Sequence, residues 1–180
     1  MIGWLQGANY PGMPFSQGMT VPLEMKLQPD SDLSAPYRLC FFPVHELDEL
    51  HTSELHRDSL DIVEANALLG DAASGELLDL NLDLETSHPF TLRVGDTPLT
   101  WDPESNQISF AGKSAGLPAG TQILVLRLLV DRSVTEVFVN EGWAAFSTAT
   151  IFPASGRSLL LEGELEKVSI QIFTLKSIWD

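Results

Sequence analysis

Chemistry needs particular residue types at particular spacings, and several stretches of this chain offer them. Gly112-Lys113-Ser114-Ala115-Gly116 matches the letter of G-x-S-x-G, the turn that presents a nucleophilic serine. Such an elbow needs a strand before it and a helix after it. Here Ile108 to Phe110 precedes the motif and Leu117-Pro118-Ala119-Gly120 leads into another strand-like run, so the segment reads as a flexible hairpin loop. His45 and Glu49 stand four apart on one face of a short helix with His51 nearby, the outline of a metal trio. One cysteine and four scattered histidines build no closed Cys/His site, and the trio reads as an exposed amphipathic turn. No metal is expected. Neither G-x-x-x-x-G-K-[ST] nor G-x-G-x-x-G occurs, which removes the usual nucleotide-binding loops, and no cofactor is expected.

With 25 Asp and Glu, paired carboxylates for acid–base work are easy to find. Asp79, Asp83 and Glu85 alternate with leucines between Leu78 and Leu84, which puts them on one strand face, and that face reads as solvated. Asp131, Arg132 and Glu136 form a second charged group, in which Arg132 is expected to bridge Asp131 or Glu136 as a structural pair. The aromatic candidates for stacking on a sugar ring are Trp4, Tyr10, Trp101, Trp143 and Trp179. Trp101 shares parity with Leu99 and belongs in a core, Trp143 follows a turn, and Trp179 lies near the end. Cys40, within Leu39-Cys40-Phe41-Phe42, reads as a buried small hydrophobe rather than a nucleophile, and a single cysteine forms no internal disulfide.

These residues must be positioned by strands. Alternation of period two runs through Met19 to Leu27, Leu78 to Glu85, Phe90 to Val94, Ile108 to Phe110 and Val168 to Ile172. Pro22 inside the first run predicts an edge strand or a bulge. Ile123 to Val130 is apolar almost throughout, interrupted by Arg127, and predicts a central strand covered on both faces. Val134 to Val139, Asn140-Glu141-Gly142 and Trp143 to Thr148 predict a hairpin whose turn ends in a glycine at positive φ. Turn signals stand at Gly95-Asp96, Asp102 to Asn106, Gly112 to Gly120 and Pro153 to Gly156, and short strands at that spacing predict a sandwich or barrel. One or two helical turns are expected from Pro43 to Leu50, and helix signals elsewhere are weak. Gln28 to Ala35, rich in Pro, Ser and Asp, reads as a linker, so the first strands need not share a sheet with the rest.

The 180 residues, 44% hydrophobic and 19% charged, suffice for a folded domain with a real core. A formal charge of -15 repels phosphate backbones and anionic headgroups, so neither nucleic acid nor a membrane surface is an expected partner. Met1-Ile2-Gly3-Trp4 lacks the basic and apolar regions of an export signal, and no apolar stretch reaches the roughly 18 residues of a membrane span. The compartment stays open.

Leu126-Arg127-Leu128-Leu129-Val130-Asp131-Arg132-Ser133-Val134-Thr135-Glu136-Val137-Phe138-Val139-Asn140-Glu141-Gly142 resembles the L-x-I-L-V-D-R-S-S-V-E-V-F-x-N-x-G stretch of the C-terminal sandwich in glycoside hydrolase family 32. That family comprises invertases, inulinases, levanases and sucrose-6-phosphate hydrolases. Ile151-Phe152-Pro153 and Val168 to Trp179 are similar to segments downstream of that stretch in the family, and Gly75 to Leu84 and Leu99 to Asp102 to earlier sandwich strands. Ile2 to Gln6 and Gly18 to Leu27 look like the last strands of the family's five-bladed propeller, and Pro43-Val44-His45-Glu46-Leu47 like the connection between the two parts. The resemblance implies an all-β chain: residues 1–27 a remnant of the last propeller blade, 28–52 a connector with a short helix, and 53–180 a two-sheet antiparallel β-sandwich.

It also implies what is missing. Family catalysis uses an Asp nucleophile in W-M-N-D-P-N-G, an acid/base Glu in E-C and a stabilising Asp in R-D-P, all within the propeller. Here Trp4 is followed by Leu5-Gln6-Gly7, Arg57-Asp58 by Ser59, and Cys40 is preceded by Leu39. A retaining glycosidase needs both of its carboxyl groups, so no residue of this chain is assigned a catalytic role and the chain by itself is expected to be inactive. The implied role is an ancillary sandwich that braces the catalytic propeller of the same parent chain, with a homodimer through strands 1–27 as a further expectation. Trp4 falls where the family's fifth blade lines the sugar pocket, which makes it the candidate substrate-binding residue for a fructan or sucrose ligand. The alternative is a stand-alone, lectin-like fructan-binding module.

Overall fold

The computed structural model describes residues 1–5, 10, 17–30, 35–73, 77–150, 152 and 158–177. Its period-two runs become strands, and every pairing among them is antiparallel. Two small pairs come first: β1 (Trp4–Leu5) with β2 (Gly18–Met19), and β3 (Leu23–Pro29) with β4 (Tyr37–Pro43). A 3₁₀ helix (His45–Leu50), β5 (His51–Leu60), α1 (Ile62–Ala72) and β6 (Leu78–Glu85) come next. Then come β7 (Phe90–Val94), β8 (Thr97–Asp102), β9 (Gln107–Phe110) and β10 (Lys113–Gly116). The chain continues through β11 (Ile123–Val130), β12 (Val134–Val139), β13 (Ala144–Ala149), β14 (Leu159–Gly163) and β15 (Lys167–Leu175).

Two sheets make the expected sandwich, one of five strands in the order β10-β9-β8-β7-β14 and one of six in the order β13-β12-β11-β6-β15-β5. The inward residues of each alternating strand form one core. Leu80, Leu82 and Leu84 of β6 and Leu124, Leu126 and Leu128 of β11 face Leu92, Leu99, Trp101, Ile108 and Phe110 of the other sheet. Burying each such side chain contributes about 1.5–3 kcal/mol, so this shared core is the main source of cohesion.

Some elements differ from what the residues predict. The helix α1 was not expected, yet its start is written in Asp61-Ile62-Val63-Glu64. The Asp61 carboxylate accepts from the Val63 and Glu64 amides at 2.9 and 2.8 Å, and Glu64 accepts from the Asp61 amide at 3.1 Å, a complete capping box. Ala65 and Leu69, four apart, are its buried residues. Lys113 to Gly116 is not a flexible loop but the edge strand β10, paired to β9, with Ser114 and Ser109 hydroxyls 2.8 Å apart. Two consecutive positive φ values, at Ala111 and Gly112, make the tight turn that leaves the motif free to be strand.

The Met19–Leu27 run divides at Pro22, which cannot donate to a ladder and lies between β2 and β3. Gln28 and Pro29, read as linker, extend β3 opposite Arg38 and Tyr37, and Asp30 donates its amide to Pro36 at 2.8 Å to close the hairpin end. Residues 31–34, residues 153–157 and Trp179 lie outside the described residues. The strand β11 is covered on both faces only from Leu126 onward, since Ile123 and Val125 are exposed. No described helix is long and apolar enough to cross a membrane.

The β12–β13 turn behaves as predicted, with φ of 48°, 55° and 84° at Asn140, Glu141 and Gly142. Gly142 is needed twice over: besides its φ, a Cβ there would lie 2.1 Å from the carbonyl oxygen of Phe41 on β4. Gly142→Ala is therefore expected to cost about 2 kcal/mol or more. Gly116→Ala, whose Cβ would enter open space, should stay within about 0.5 kcal/mol. Urea denaturation of both variants checks the contrast.

Candidate functional site

The polar groups that could do chemistry gather on the outer face of the six-stranded sheet, beneath the N-terminal strands. Along β6 the outward residues are Asp79, Asn81, Asp83 and Glu85. Asp83 and Glu85 are exposed as expected, but Asp79 has no accessible surface. The solvated-face reading fails there because the register sets Asp79 between Leu129 of β11 and Phe173 of β15, and the 3₁₀ helix closes over that end.

Arg127, diagonal to Asp79 across the β6–β11 ladder, supplies the compensation that burial demands. Its Nε donates to Asp79 Oδ1 at 3.0 Å and its Nη2 to Asp79 Oδ2 at 2.6 Å, a bidentate pair. Nη2 also donates to Asp48 of the 3₁₀ helix at 2.7 Å. Burial works against the Arg127 charge, but the bonds and charges of Asp79 and Asp48 together outweigh it and hold the guanidinium above its ordinary pKa. His51 Nε2 lies 2.9 Å from Asp79 Oδ2, and its ring stacks on Phe173 with centroids 3.8 Å apart. Phe42 of β4 covers Arg127, with the guanidinium 5.7 Å from the ring centre.

This cluster resembles two kinds of site. Asp48, His51 and Asp79 place ligand atoms within 4.8 Å of one another, spacing fit for a metal ion. Arg127 already brings a positive charge to both of those carboxylates through three hydrogen bonds, so the group reads as an internal ion network. Asp48 and Asp79 also approach the separation of about 5–5.5 Å used by retaining glycosidases. Asp79 is sealed from any sugar, and both carboxylates share one guanidinium, which suits cohesion rather than acid–base catalysis.

The other residues singled out from the sequence do not converge. His45 and Glu49 are exposed on the 3₁₀ helix, while His51 turns into the sheet. Ser114 is on β10, and Arg57 and Asp58 are exposed on β5. Asp131 accepts from the Arg132 amide, and Glu136 accepts from the Val21 amide at 3.0 Å. Trp101 and Cys40 are buried as expected; Tyr10, a candidate for stacking on a sugar ring, is buried too. Trp143 is partly buried, donating its indole N–H to the Gly116 carbonyl at 3.2 Å with the Arg38 guanidinium 4.8 Å over its ring. Trp4 is 59% exposed, opposite exposed Met19. Asp48 went unnoticed in the sequence because its role depends on where the 3₁₀ helix lands.

The family profile described as "Glycosyl hydrolases family 32 C terminal" matches residues 46–174. The chain belongs to that family. It is similar to the levanase of Bacillus subtilis (strain 168), 25% identical over an alignment covering 99% of this chain and 31% of the levanase. Sucrose-6-phosphate hydrolase from Lactobacillus gasseri shares its fold with a TM-score of 0.72 at 16% identity, over 98% of this chain and 38% of that one. Exo-inulinase from Aspergillus awamori does so with a TM-score of 0.69 at 22% identity, over 99% and 40%. The chain thus spans between 31% and 40% of the length of these proteins.

Asp79→Ala leaves Arg127 charged and buried with one surviving partner, and it should cost about 3–5 kcal/mol in guanidinium denaturation. Asp48→Ala removes a contact from a half-exposed carboxylate and should cost no more than about 1 kcal/mol. Replacing Asp79 and Arg127 together by Leu and Met should recover much of the loss of the single variant.

Proposed function

We propose that this chain is the C-terminal, ancillary part of a fructosyl-bond-cleaving hydrolase acting on sucrose, inulin or levan. Its sandwich braces the catalytic propeller, and by itself it turns nothing over. The observation that carries this reading is the family match across residues 46–174 in a chain that spans 31% of a levanase. A second observation supports the bracing. Met25, Leu27, Tyr37 and Leu39 sit side by side on one face of the β3–β4 hairpin, all exposed, with Met19 and Trp4 also exposed on the neighbouring pair. An apolar face of that kind belongs against another layer, and the propeller of the parent chain is the occupant the family implies.

Trp4 is proposed as a wall of the sugar pocket in the parent enzyme, its indole suited to the apolar face of a fructosyl ring. In isolation a second copy would cover the same strands, giving a dimer through residues 1–27. The rival reading is a stand-alone fructan-binding module that holds the sugar on a surface aromatic such as Trp143, with exposed Trp4 as a second candidate. Trp143 serves it poorly, since Arg38 covers its ring.

Incubated with sucrose, inulin or levan, the purified chain is expected to release no fructose above a blank; turnover that stays with the protein through purification overturns the reading. Calorimetry with inulin and levan separates the rival, which requires heat of binding that Trp4→Ala abolishes. Sedimentation velocity checks the dimer, which a strict monomer at high concentration rules out.

A further inference from the structure

Glu136 is a buried carboxyl group that the proposed function does not use. It stands in β12 on the outer face of the six-stranded sheet, 2% exposed, opposite Leu129 of β11 and Ser147 of β13. One oxygen, Oε1, accepts the Val21 amide at 3.0 Å. The other, Oε2, is buried with no hydrogen-bond partner among the described residues. Its cover is the segment leading from β2 into β3, where Val21 and Leu23 pack with Phe41, Phe42 and Leu47 against Leu129 and Phe138.

The charges around it do not favour a carboxylate. On β11, Arg127 is committed to Asp79 and Asp48. The approach to β12 carries Asp131, a like charge, which also helps burial to raise the Tyr10 phenol beside the same strands. On the covering segment the Met1 ammonium is bonded to the Leu23 carbonyl, and Glu24 is paired with Lys26. An ionised carboxyl with one hydrogen bond and no ion pair among the described residues is costly to bury, whereas the protonated group keeps the Val21 bond at much smaller cost.

We propose that Glu136 is a proton-operated clasp: protonated, it holds the segment around Val21 onto the sandwich, and its ionisation loosens that segment. Burial pushes the carboxyl up to about 7, with Asp131 adding to the rise and the Val21 bond opposing it. When the segment lifts, water returns and the group falls back to its ordinary value of 4.5. The docked form therefore binds the proton more tightly than the undocked form. Docking is at full strength below pH 4.5, weakens by up to about tenfold per pH unit as pH rises to about 7, and changes no further above that. The clasp works within this chain and needs no propeller, so it stands or falls separately from the proposed function.

Amide hydrogen exchange of the 180-residue chain between pH 5 and 8, corrected for the intrinsic pH dependence of exchange, tests it. Protection at Val21 is expected to fall about 100-fold in the unsubstituted chain and to stay flat in Glu136→Gln, while Leu82 and Leu126 stay protected in both. Parallel falls at Val21 in the two proteins, or a fall shared equally by Leu82 and Leu126, overturn the clasp. Should Glu136→Gln fail to fold, carbon NMR of the unsubstituted chain reads the Glu136 carboxyl directly. A midpoint near 7 supports the proposal, and one near 4.5 overturns it.

Discussion

A sheet that is apolar on one face needs one cover; the six-stranded sheet here is buried on both faces over half its length and needs two. Its inner face meets the five-stranded sheet. On its outer face Leu129 and Phe138 form a second, smaller core with Leu23, and beside them lie Asp79, Arg127 and Glu136, all withdrawn from water. The outer face of an antiparallel sandwich is ordinarily wet, and at the far end, where Asp83, Glu85, Ile123 and Val125 stand exposed, this one is. The N-terminal strands and the 3₁₀ helix form a partial third layer because that half of the sheet cannot remain bare.

The character of this second interface is set by charge as well as by apolar area. Asp79 and Arg127 meet bidentately only in the observed register, since a slip of one residue would turn Asp79 into the sandwich core and Leu80 outward. The pair gives little net stability over a well-packed apolar pair, but it penalises every other alignment of β6 on β11 and fixes the 3₁₀ helix through Asp48. Gly142 acts similarly by steric means, bringing the β12–β13 turn against the backbone of β4, where the Phe41 amide donates to the Gly142 carbonyl at 3.2 Å. Hydrophobic burial holds the layers together, and these contacts decide how they align.

The third layer is itself covered on one side only. Cys40 and Phe42 face the sandwich, whereas the opposite face of the β3–β4 hairpin keeps several large apolar residues in water. That imbalance matches a chain spanning 31% of a levanase and 38–40% of two structurally similar hydrolases. Uncovered apolar area on strands that already cover one sheet supports the proposal that a further layer packs on this face.

Much of the fold was legible in the residues. The ranges of β6, β7, β11 and β12 can be read from alternation or continuous apolar runs, because a half-buried strand has a period of two and a covered one has none. The Asn140-Glu141-Gly142 turn could be read from the need for positive φ. The helix α1 was equally legible, through Asp61 and Glu64, but its short apolar stripe is overshadowed by the strands around it. The sequence also determined the family and the absence of its catalytic motifs, since both are carried by local strings of residues. Only the tertiary structure decided that Asp79 is buried while Asp83 on the same strand face is wet, that Arg127 interrupts an apolar strand to meet it, and that Glu136 pairs with Val21. Those facts depend on which distant segment covers which part of a sheet, and a contact across 115 residues leaves no periodic trace in the chain.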